Sequence, residues 1–282
     1  MPLPHFDPAD RDALCELRHL AEAAARAGGS VARRYFRGEL QVRLKADRTE
    51  VSDADHAAQQ AVVATIRAAR PDDAFLTEET LETRAPCHSP ANDRLTWIID
   101  PIDGTRNFVR RIPLYACSVG AMFGGYPVVG SIHDAERDVT YTASTAEGLF
   151  INAEAQPVAT LGRGRAAGLD PRPVVALPST PTGPIAPIAH TWLGRFVCRN
   201  LGSTALHLAQ IAAGQLDGAL SDNAKLWDLA AGWVLLQAIG GRMTTRDGAA
   251  VFPLDIARYA DADLPFIAGT ADFFARLAPL QS

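Results

Sequence analysis

The most informative segment of the 282-residue chain is Trp97–Thr105, with the sequence WIIDPIDGT. An apolar run typical of a buried strand ends in Asp100, a proline turns the chain, and Asp103 follows with glycine and threonine behind it. Carboxylates at a strand end and in the next turn can converge on one point at the edge of a sheet. Oxygen ligands of this kind suit Mg²⁺, which prefers octahedral oxygen coordination. A simple turn capped by Asp100 is the alternative explanation of this segment.

Acidic residues at two further element boundaries favour a metal site over a simple turn. Glu78 and Glu79 follow another predicted strand, and Asp228 begins a predicted helix within the sequence WDLAAG. A single acid at a helix start is often only an N-cap. Three acidic positions at strand ends or helix starts are better explained by a shared metal centre. The backbone N–H groups of Gly104 and Thr105 could also hold a phosphate, because helix N-termini favour anions.

Composition and charge restrict the classes of partner. Hydrophobic residues make up 48% of the chain and charged residues 21%, which is typical of a globular protein with a sizeable core. The formal net charge of −5 argues against nucleic acid or an anionic membrane as the main partner, because both need a basic surface. No apolar run is long enough to predict a membrane span, and the N-terminus lacks a secretory pattern. We therefore expect a cytoplasmic protein.

Hydrophobic periodicity predicts an α/β chain. Apolar residues from Leu14 to Tyr35 recur at helical spacing, with Asp7 as the expected N-cap, and a second helix is predicted over residues 55–70. Short apolar runs then predict strands with antiparallel content at residues 74–77, 96–99, 115–123, 128–133, 139–143 and 149–151. The second half alternates between strands and helices at residues 174–177, 204–213, 218–220, 228–239, 242–245 and 270–277.

A stretch rich in glycine, arginine and proline separates the two halves of the chain. It covers residues 153–173 and lies between the strand-rich half and the alternating half. We therefore predict an N-terminal α+β subdomain over residues 1–152, which carries most of the acids. A C-terminal α/β subdomain over residues 153–282 would carry Asp228 and loops on the substrate side.

In their order and combination, these motifs resemble the inositol monophosphatase family. The family signature is a Glu-Glu pair, then Asp-Pro-Ile-Asp-Gly-Thr with Asn-Phe soon after, then Trp-Asp-x-Ala-Ala-Gly near the C-terminus. In this chain the matching segments are Glu78-Glu79, Asp100–Thr105 with Asn107-Phe108, and Trp227–Gly232. Weaker matches at Lys45, at residues 51–55 and at residues 202–205 extend the resemblance over nearly the whole chain.

The resemblance implies both a fold and an activity. The fold would be a layered α-β-α-β-α sandwich of the α/β (α+β) class, usually forming a homodimer. The activity would be hydrolysis of a small phosphomonoester such as inositol monophosphate, with two or three Mg²⁺ ions. A metal-activated water would attack the phosphorus directly, without a phosphoenzyme. Li⁺ is the expected inhibitor, because it competes at a Mg²⁺ site.

The resemblance also assigns roles to residues by motif. The metal ligands would be Glu78, Asp100, the carbonyl of Ile102, Asp103 and Asp228. The catalytic group would comprise Glu78, Thr105 and Asp55, with Thr105 and Asp55 orienting and deprotonating the attacking water. The substrate contacts would be Gly104, Thr105, Ser203, Ser221 and Asp222. In inositol-specific members an acid occupies position 221, so either Asp222 makes that polyol contact here or the contact is absent.

Several alternatives stay open at the level of sequence. The run RNFVR at residues 106–110 also resembles the histidinol-phosphate phosphatases of the same superfamily. A regulatory or binding relative with little activity is a further alternative, although such a protein should have lost some of the metal acids. Haloacid-dehalogenase phosphatases also place an Asp-x-Asp-Gly-Thr motif after a strand, but here the two acids are one residue further apart. Lys225 could contact substrate or only balance charge.

Overall fold

The computed structural model describes residues 7–39, 42–44, 50–79, 89–157, 172–181 and 183–277. The helices are α1 (Arg11–Arg37), α2 (Asp53–Ala69), α3 (Thr105–Val109), α4 (Ala186–Arg195), α5 (Thr204–Ala212), α6 (Leu226–Ala238) and α7 (Ala271–Leu277). The first nine strands are β1 (Val42–Leu44), β2 (Glu50–Ser52), β3 (Ala74–Thr77), β4 (Thr96–Asp103), β5 (Ala116–Phe123), β6 (Tyr126–Asp134), β7 (Val139–Ser144), β8 (Leu149–Ile151) and β9 (Glu154–Ala155). The others are β10 (Val174–Ala176), β11 (Val197–Arg199), β12 (Gly218–Ser221), β13 (Arg242–Thr244) and β14 (Phe266–Gly269). Among the described residues, no helix has the length and apolar character needed to cross a membrane.

The strands form two large sheets and a short hairpin. Strands β3 to β9 make a seven-stranded sheet in chain order, in which β3 pairs with β4 in parallel and the later neighbours pair antiparallel. The five-stranded sheet has the order β11-β10-β12-β14-β13. Its β10 pairs in parallel with β11 and β12, whereas β14 is antiparallel to β12 and β13. Strands β1 and β2 form an antiparallel hairpin.

The elements stack in the order α-β-α-β-α. Helices α1 and α2 cover the face of the seven-stranded sheet that carries Trp97. Ile98 points to the opposite face, as neighbours in a strand do, and packs with α6 and with Phe266 of the five-stranded sheet. Trp192 of α4 and Phe273 of α7 cover the outer face of that second sheet. The layered fold expected from the sequence is therefore confirmed.

Helix α6 lies close to the seven-stranded sheet because two glycines face it. A Cβ at Gly120 would lie 3.1 Å from the backbone nitrogen of Ala231, and one at Gly130 would lie 2.4 Å from its carbonyl oxygen. Any larger residue at Gly130 would push the helix away from β6. The glycines of β5 and β6 therefore set the distance between α6 and the sheet. This distance also sets the position of Asp228 in the first turn of α6.

The helix starts differ from the sequence predictions in two places. The N-cap of α1 is Asp10, whose side chain accepts hydrogen bonds from the N–H groups of Asp12 and Ala13. The prediction of Asp7 as this cap is wrong, because Asp7 accepts from Ala9 N–H in the preceding turn. Helix α6 begins at Leu226, so Asp228 occupies the third helical position and does not begin the helix.

The predicted subdomain boundary falls partly outside the described residues. Residues 158–171 of the predicted linker are not described, and the division at residue 152 stays a prediction. Apolar packing crosses this position, because Ile98 and Met122 share one buried cluster with Leu229 and Phe266.

Candidate metal centre and substrate cleft

Asp100 and Asp103 approach each other because strand β4 contains a bulge. Asp100 pairs with Ser118 of β5 and Asp103 pairs with Ala116, so three residue steps on β4 match two on β5. In a regular strand, residues three positions apart point to opposite faces of the sheet. The extra residue of the bulge changes this parity and allows both carboxylates to reach the same point. Pro101 suits the bulge because it has no N–H group to give to the ladder.

The first turn of α6 brings a third carboxylate to this point. The N–H of Lys225 donates to Oδ2 of Asp228 at 2.8 Å, and the N–H of Asp228 donates to the carbonyl of Lys225 at 3.1 Å. This reciprocal pair fixes the helix start and the direction of the Asp228 side chain. One carboxylate oxygen from each of Asp100, Asp103 and Asp228 lies within 4.8 Å of the other two. We call these residues the acidic triad.

Glu78 stands beside the acidic triad at the end of β3. Its N–H donates to the carbonyl of Ile99 at 3.1 Å, which continues the parallel pairing with β4. Gln59 of α2 binds both the N–H of Glu79 at 3.2 Å and its carbonyl at 2.9 Å. Glu78 is near enough to Asp100 for its charge to raise the pKa of the Asp100 carboxyl. The structure thus brings together the four acidic side chains that the sequence proposed as metal ligands.

The raised pKa values of the acidic triad indicate that nearby positive charges do not balance the negative charges of these carboxylates. Burial raises the pKa of Asp103 to about 6, even though Ser203 Oγ and Ala205 N–H donate to its Oδ2 at 2.5 and 2.6 Å. Burial also raises the pKa of Asp100 well above its usual value, and the nearby charges of Glu78, Asp103 and Asp228 raise it further. Burial and the charge of Asp103 do the same for Asp228. A bound cation would offset this repulsion.

The acidic triad borders a cleft of about 310 Å³. Its lining residues include the acids Glu78, Asp103 and Asp228, and the predicted substrate contacts Gly104, Thr105, Ser203 and Ser221. Neutral polar side chains from other loops complete the walls, namely Ser179, Thr180, Asn200 and Asn223. Of the described residues, Arg106 is the cleft-lining side chain with a permanent positive charge.

The remaining predicted site residues, Asp55, Asp222 and Ile102, are buried. Asp55 is fully buried in the first turn of α2, and Asp222 is buried after β12. Neither side chain is among the described lining residues of the cleft, whereas Asn223 is. The carbonyl of Ile102 accepts a hydrogen bond from Thr105 Oγ1 at 3.1 Å.

Gly104 turns the chain from β4 into α3. It adopts the left-handed conformation with φ of 96°, and a Cβ there would lie 3.0 Å from the carbonyl oxygen of Leu114. Only glycine tolerates both conditions without strain. The turn places the start of α3 at the cleft, where the N–H of Thr105 has no acceptor within the helix.

Two residues that the sequence analysis did not assign to the site hold the loop before α5. Asn107 donates through Nδ2 to the carbonyls of Leu114 at 2.8 Å and Leu201 at 2.6 Å. Nε2 of His207 accepts from the N–H of Leu201 at 3.0 Å, and burial lowers the pKa of His207 to about 4. The neutral ring can therefore serve as an acceptor near pH 7. Asn107 was visible in the motif, but the isolated His207 carried no signal in the sequence.

Lys225 balances charge outside the cleft. Its Nζ lies 3.1 Å from carboxylate oxygens of both Asp261 and Asp263. Lys225 is not among the described lining residues, which favours charge balance over substrate contact.

The chain matches the model of the inositol monophosphatase family over residues 13–272. The chain belongs to the inositol monophosphatase family. Family relatives include inositol-1-monophosphatase of Mesorhizobium japonicum, which is 33% identical over 237 residues covering 82% of this chain and 86% of that protein. Nus factor SuhB of Escherichia coli is 30% identical over 225 residues, covering 78% of this chain and 80% of that protein.

Solved structures of family members share the same architecture. The extragenic suppressor protein suhB from Bartonella henselae has a TM-score of 0.77 and 29% identity, covering 94% of this chain and 97% of that one. Inositol monophosphatase from Anabaena has a TM-score of 0.72 and 26% identity, with 95% of each chain covered. Within this inositol monophosphatase fold, the acidic triad of the present chain could bind a metal ion.

Proposed function

We propose that the chain is a Mg²⁺-dependent phosphomonoesterase that acts on a small hydroxylated phosphate such as inositol monophosphate. The observation that carries this proposal is the convergence of Asp100, Asp103 and Asp228 beside a cleft of small-molecule size. We further propose that the protein is a cytoplasmic homodimer without a nucleic-acid or membrane partner.

The donor set fits Mg²⁺. The acidic triad and the neighbouring Glu78 offer only oxygen atoms, and the raised pKa values of all three triad members indicate that a cation would relieve their repulsion. Hard oxygen donors of this kind suit Mg²⁺ better than zinc or copper. These acids, with the carbonyl of Ile102, would hold two or three ions, and Li⁺ would compete for one of the sites. Bound there, Mg²⁺ would lower the pKa of a water molecule and offset charge on the phosphate.

The residues at the start of α3 would hold the phosphate and orient the water. Gly104 and Thr105 line the cleft at the N-terminus of α3, where backbone N–H groups favour an anion. Thr105 Oγ1 donates to the Ile102 carbonyl, so its lone pairs are free to accept a hydrogen bond from the attacking water. Glu78 lines the cleft and would accept a proton from that water. Asp55 keeps its proposed place in this proton relay on the motif match alone.

The walls of the cleft suit hydroxyl groups. Ser221 and Asn223 line the cleft and can donate to or accept from a polyol. Ser203 also lines it, but its hydroxyl already donates to Asp103, so its main proposed role is to hold that carboxylate. Asp222 is a proposed substrate contact only if the loop after β12 moves, because the carboxylate is now buried.

Two other functions rank behind this proposal. Apart from the acids Glu78, Asp103 and Asp228, the described lining of the cleft has no negatively charged side chain, and it includes the cation Arg106. This lining disfavours histidinol phosphate, which carries a cationic amine. A regulatory role without turnover is the other candidate, because some relatives bear the name Nus factor SuhB.

The deciding experiment is phosphate release from a panel of substrates, measured with Mg²⁺ and with EDTA. The panel contains inositol 1-phosphate, histidinol phosphate, fructose 1,6-bisphosphate, NADP and adenosine 3′,5′-bisphosphate. We expect Mg²⁺-dependent turnover, preferentially of inositol 1-phosphate, and inhibition by Li⁺. A preference for histidinol phosphate would change the substrate. No release from any compound, with Mg²⁺ still bound in calorimetry, would favour the regulatory role.

A further inference from the structure

We propose that Lys225 and Tyr259 are positioning residues for Asp228, and that they act through the segment Tyr259–Leu264, here called the strap. The strap follows a short 3-10 turn and precedes β14, so it lies far from Asp228 in sequence. The inference rests on the proposed function because it assigns Asp228 to metal binding, but its geometric content concerns the start of α6 alone.

Lys225 links the strap to Asp228 because its backbone contacts Asp228 and its ammonium group contacts the strap. Its backbone N–H donates to Oδ2 of Asp228 at 2.8 Å. Its Nζ donates to the carbonyl of Asp261 at 2.5 Å and lies 3.1 Å from carboxylate oxygens of Asp261 and Asp263. Three oxygen atoms of the strap thus surround one ammonium group, so the side chain has little freedom to swing away. The backbone of Lys225 is held in the place from which it orients the carboxylate.

Tyr259 holds the next residue of the same turn. Its hydroxyl accepts from the N–H of Leu226 at 3.0 Å and donates to the carbonyl of Ala262 at 3.0 Å. The first N–H groups of a helix have no acceptor within the helix, so this hydroxyl satisfies one that would otherwise need water. The ring also packs edge-on against Trp227, with 6.2 Å between ring centroids.

The strap closes on the chain before α6 as well. The N–H of Leu264 donates to the carbonyl of Ala224 at 2.7 Å. The strap therefore contacts each of the four consecutive residues from Ala224 to Trp227, directly before Asp228.

The position of Asp228 depends on this support more than the other two triad members do. Asp100 and Asp103 lie on β4, where each pairs with a residue of β5 in the seven-stranded sheet. Asp228 lies in the first turn of a helix, where backbone hydrogen bonds are incomplete. Groups that orient metal ligands typically change metal affinity by about 10- to 100-fold when they are replaced. Loss of the strap contacts should therefore weaken Mg²⁺ binding without touching a ligand.

The test measures Mg²⁺ binding directly, by titration calorimetry on the full chain. We expect Lys225→Met to weaken Mg²⁺ binding by about 10-fold, and Tyr259→Phe to weaken it by a smaller factor, because it removes one hydroxyl. Lys225→Arg keeps a cation at the strap and should restore most of the affinity. The matched control is Arg258→Met, which removes an exposed charge that pairs with Asp255 at 3.3 Å, next to the strap. It should bind Mg²⁺ like the wild type.

A metal-free measurement separates this inference from the proposed function. Amide hydrogen exchange of residues 224–230 should be faster in Lys225→Met and Tyr259→Phe than in the wild type, and unchanged in Arg258→Met. If the wild type binds no Mg²⁺, the proposed function fails, but the exchange data still decide the role of the strap. Unchanged exchange and unchanged Mg²⁺ affinity in Lys225→Met would overturn the inference. A higher KM for substrate with unchanged Mg²⁺ affinity would overturn it too, because Lys225 would then be a substrate contact.

Discussion

Replacing Asp103 tests metal binding without a large effect on folding. It accepts hydrogen bonds from Ser203 and Ala205 and its pKa is raised to about 6 by burial. We predict that Asp103→Asn lowers Mg²⁺-dependent turnover by about 100-fold or more, since it removes ligand charge but little volume. Steady-state kinetics across Mg²⁺ concentrations, with circular dichroism for the fold, would measure this.

A matched control for Asp103 is Asp134→Asn, which changes another buried acid at the end of β6. Asp134 binds Arg137 and does not line the cleft in the described structure. This variant should keep near-normal turnover. Comparable turnover in both variants would contradict the assignment of Asp103 to the metal centre.

Arg106 supplies positive charge at the cleft wall. It is exposed and lines the cleft, so its guanidinium can reach an anionic substrate bound there. We predict that Arg106→Gln raises KM for the preferred phosphomonoester by about 10-fold, or about 1.4 kcal/mol of binding free energy, with a smaller change in kcat. The control is Arg110→Gln, an exposed residue of the same segment outside the described lining of the cleft. Equal KM values in the two variants would rule out the contact.

Most of the candidate site at this scale was predictable, because its acids stand in contiguous motifs. The sequence proposed Glu78, Asp100, Asp103 and Asp228 for one centre. The structure clusters Asp100, Asp103 and Asp228, and Glu78 lines the adjoining cleft. The contact of Tyr259 with Leu226 was not predictable, because the two residues are 33 positions apart and neither stands in a motif. Long-range contacts of this kind depend on how the layers of the fold stack, and the local sequence pattern does not predict them.

At the scale of elements, the contact between α6 and the seven-stranded sheet has no room for an added methyl group. We predict that Gly130→Ala lowers the free energy of unfolding by about 1–3 kcal/mol, because its Cβ would overlap the Ala231 carbonyl. The control is Gly148→Ala, where nothing lies within 4 Å of an added Cβ, so the change should stay within about 0.5 kcal/mol. Urea denaturation of both variants gives the comparison. Equal stabilities would show that α6 can move away from the sheet.

Several elements were missed by the sequence analysis for identifiable reasons. Strands β1, β2 and β11 have three residues each and mix apolar with polar or charged side chains, so none of them forms an apolar run. Helix α4 contains Pro187 and follows a proline-rich stretch, a composition typical of a loop. The proline lies in the first turn, where a helix tolerates it. The long helices and the central strands were predicted to within a few residues because their periodicity is sustained.

At the scale of the whole molecule, buried histidine makes stability depend on pH. Burial and the charge of Arg26 lower the pKa of His133 from 6.5 to about 4, so the folded state prefers the neutral ring. Above pH 6.5 the ring is neutral in both the folded and the unfolded state, so His133 does not affect the free energy of unfolding. As the pH falls from 6.5 to 4, the unfolded state takes up the proton first, and the free energy of unfolding decreases. We predict that His133 alone accounts for about 3 kcal/mol of acid destabilisation, at about 1.4 kcal/mol per pKa unit.

The contribution of His133 can be isolated by difference. Urea denaturation of the wild type and of His133→Gln at several pH values between 7.5 and 4 would show whether the variant loses stability less steeply, as expected. The acidic triad titrates in both proteins and therefore cancels in the comparison. Parallel curves would show that protonation of His133 does not drive the loss.

The location of α6 between the two sheets has a consequence for the order in which the molecule is made. During synthesis from the N-terminus, Glu78, Asp100 and Asp103 leave the ribosome well before Asp228. The strap and β14, which support the start of α6 and the second sheet, follow later still. A nascent chain can therefore form most of the first sheet without a complete cation site. Tight binding of the metal ion would therefore require that the strap and the second sheet have folded. Incomplete or truncated chains would bind the ion weakly.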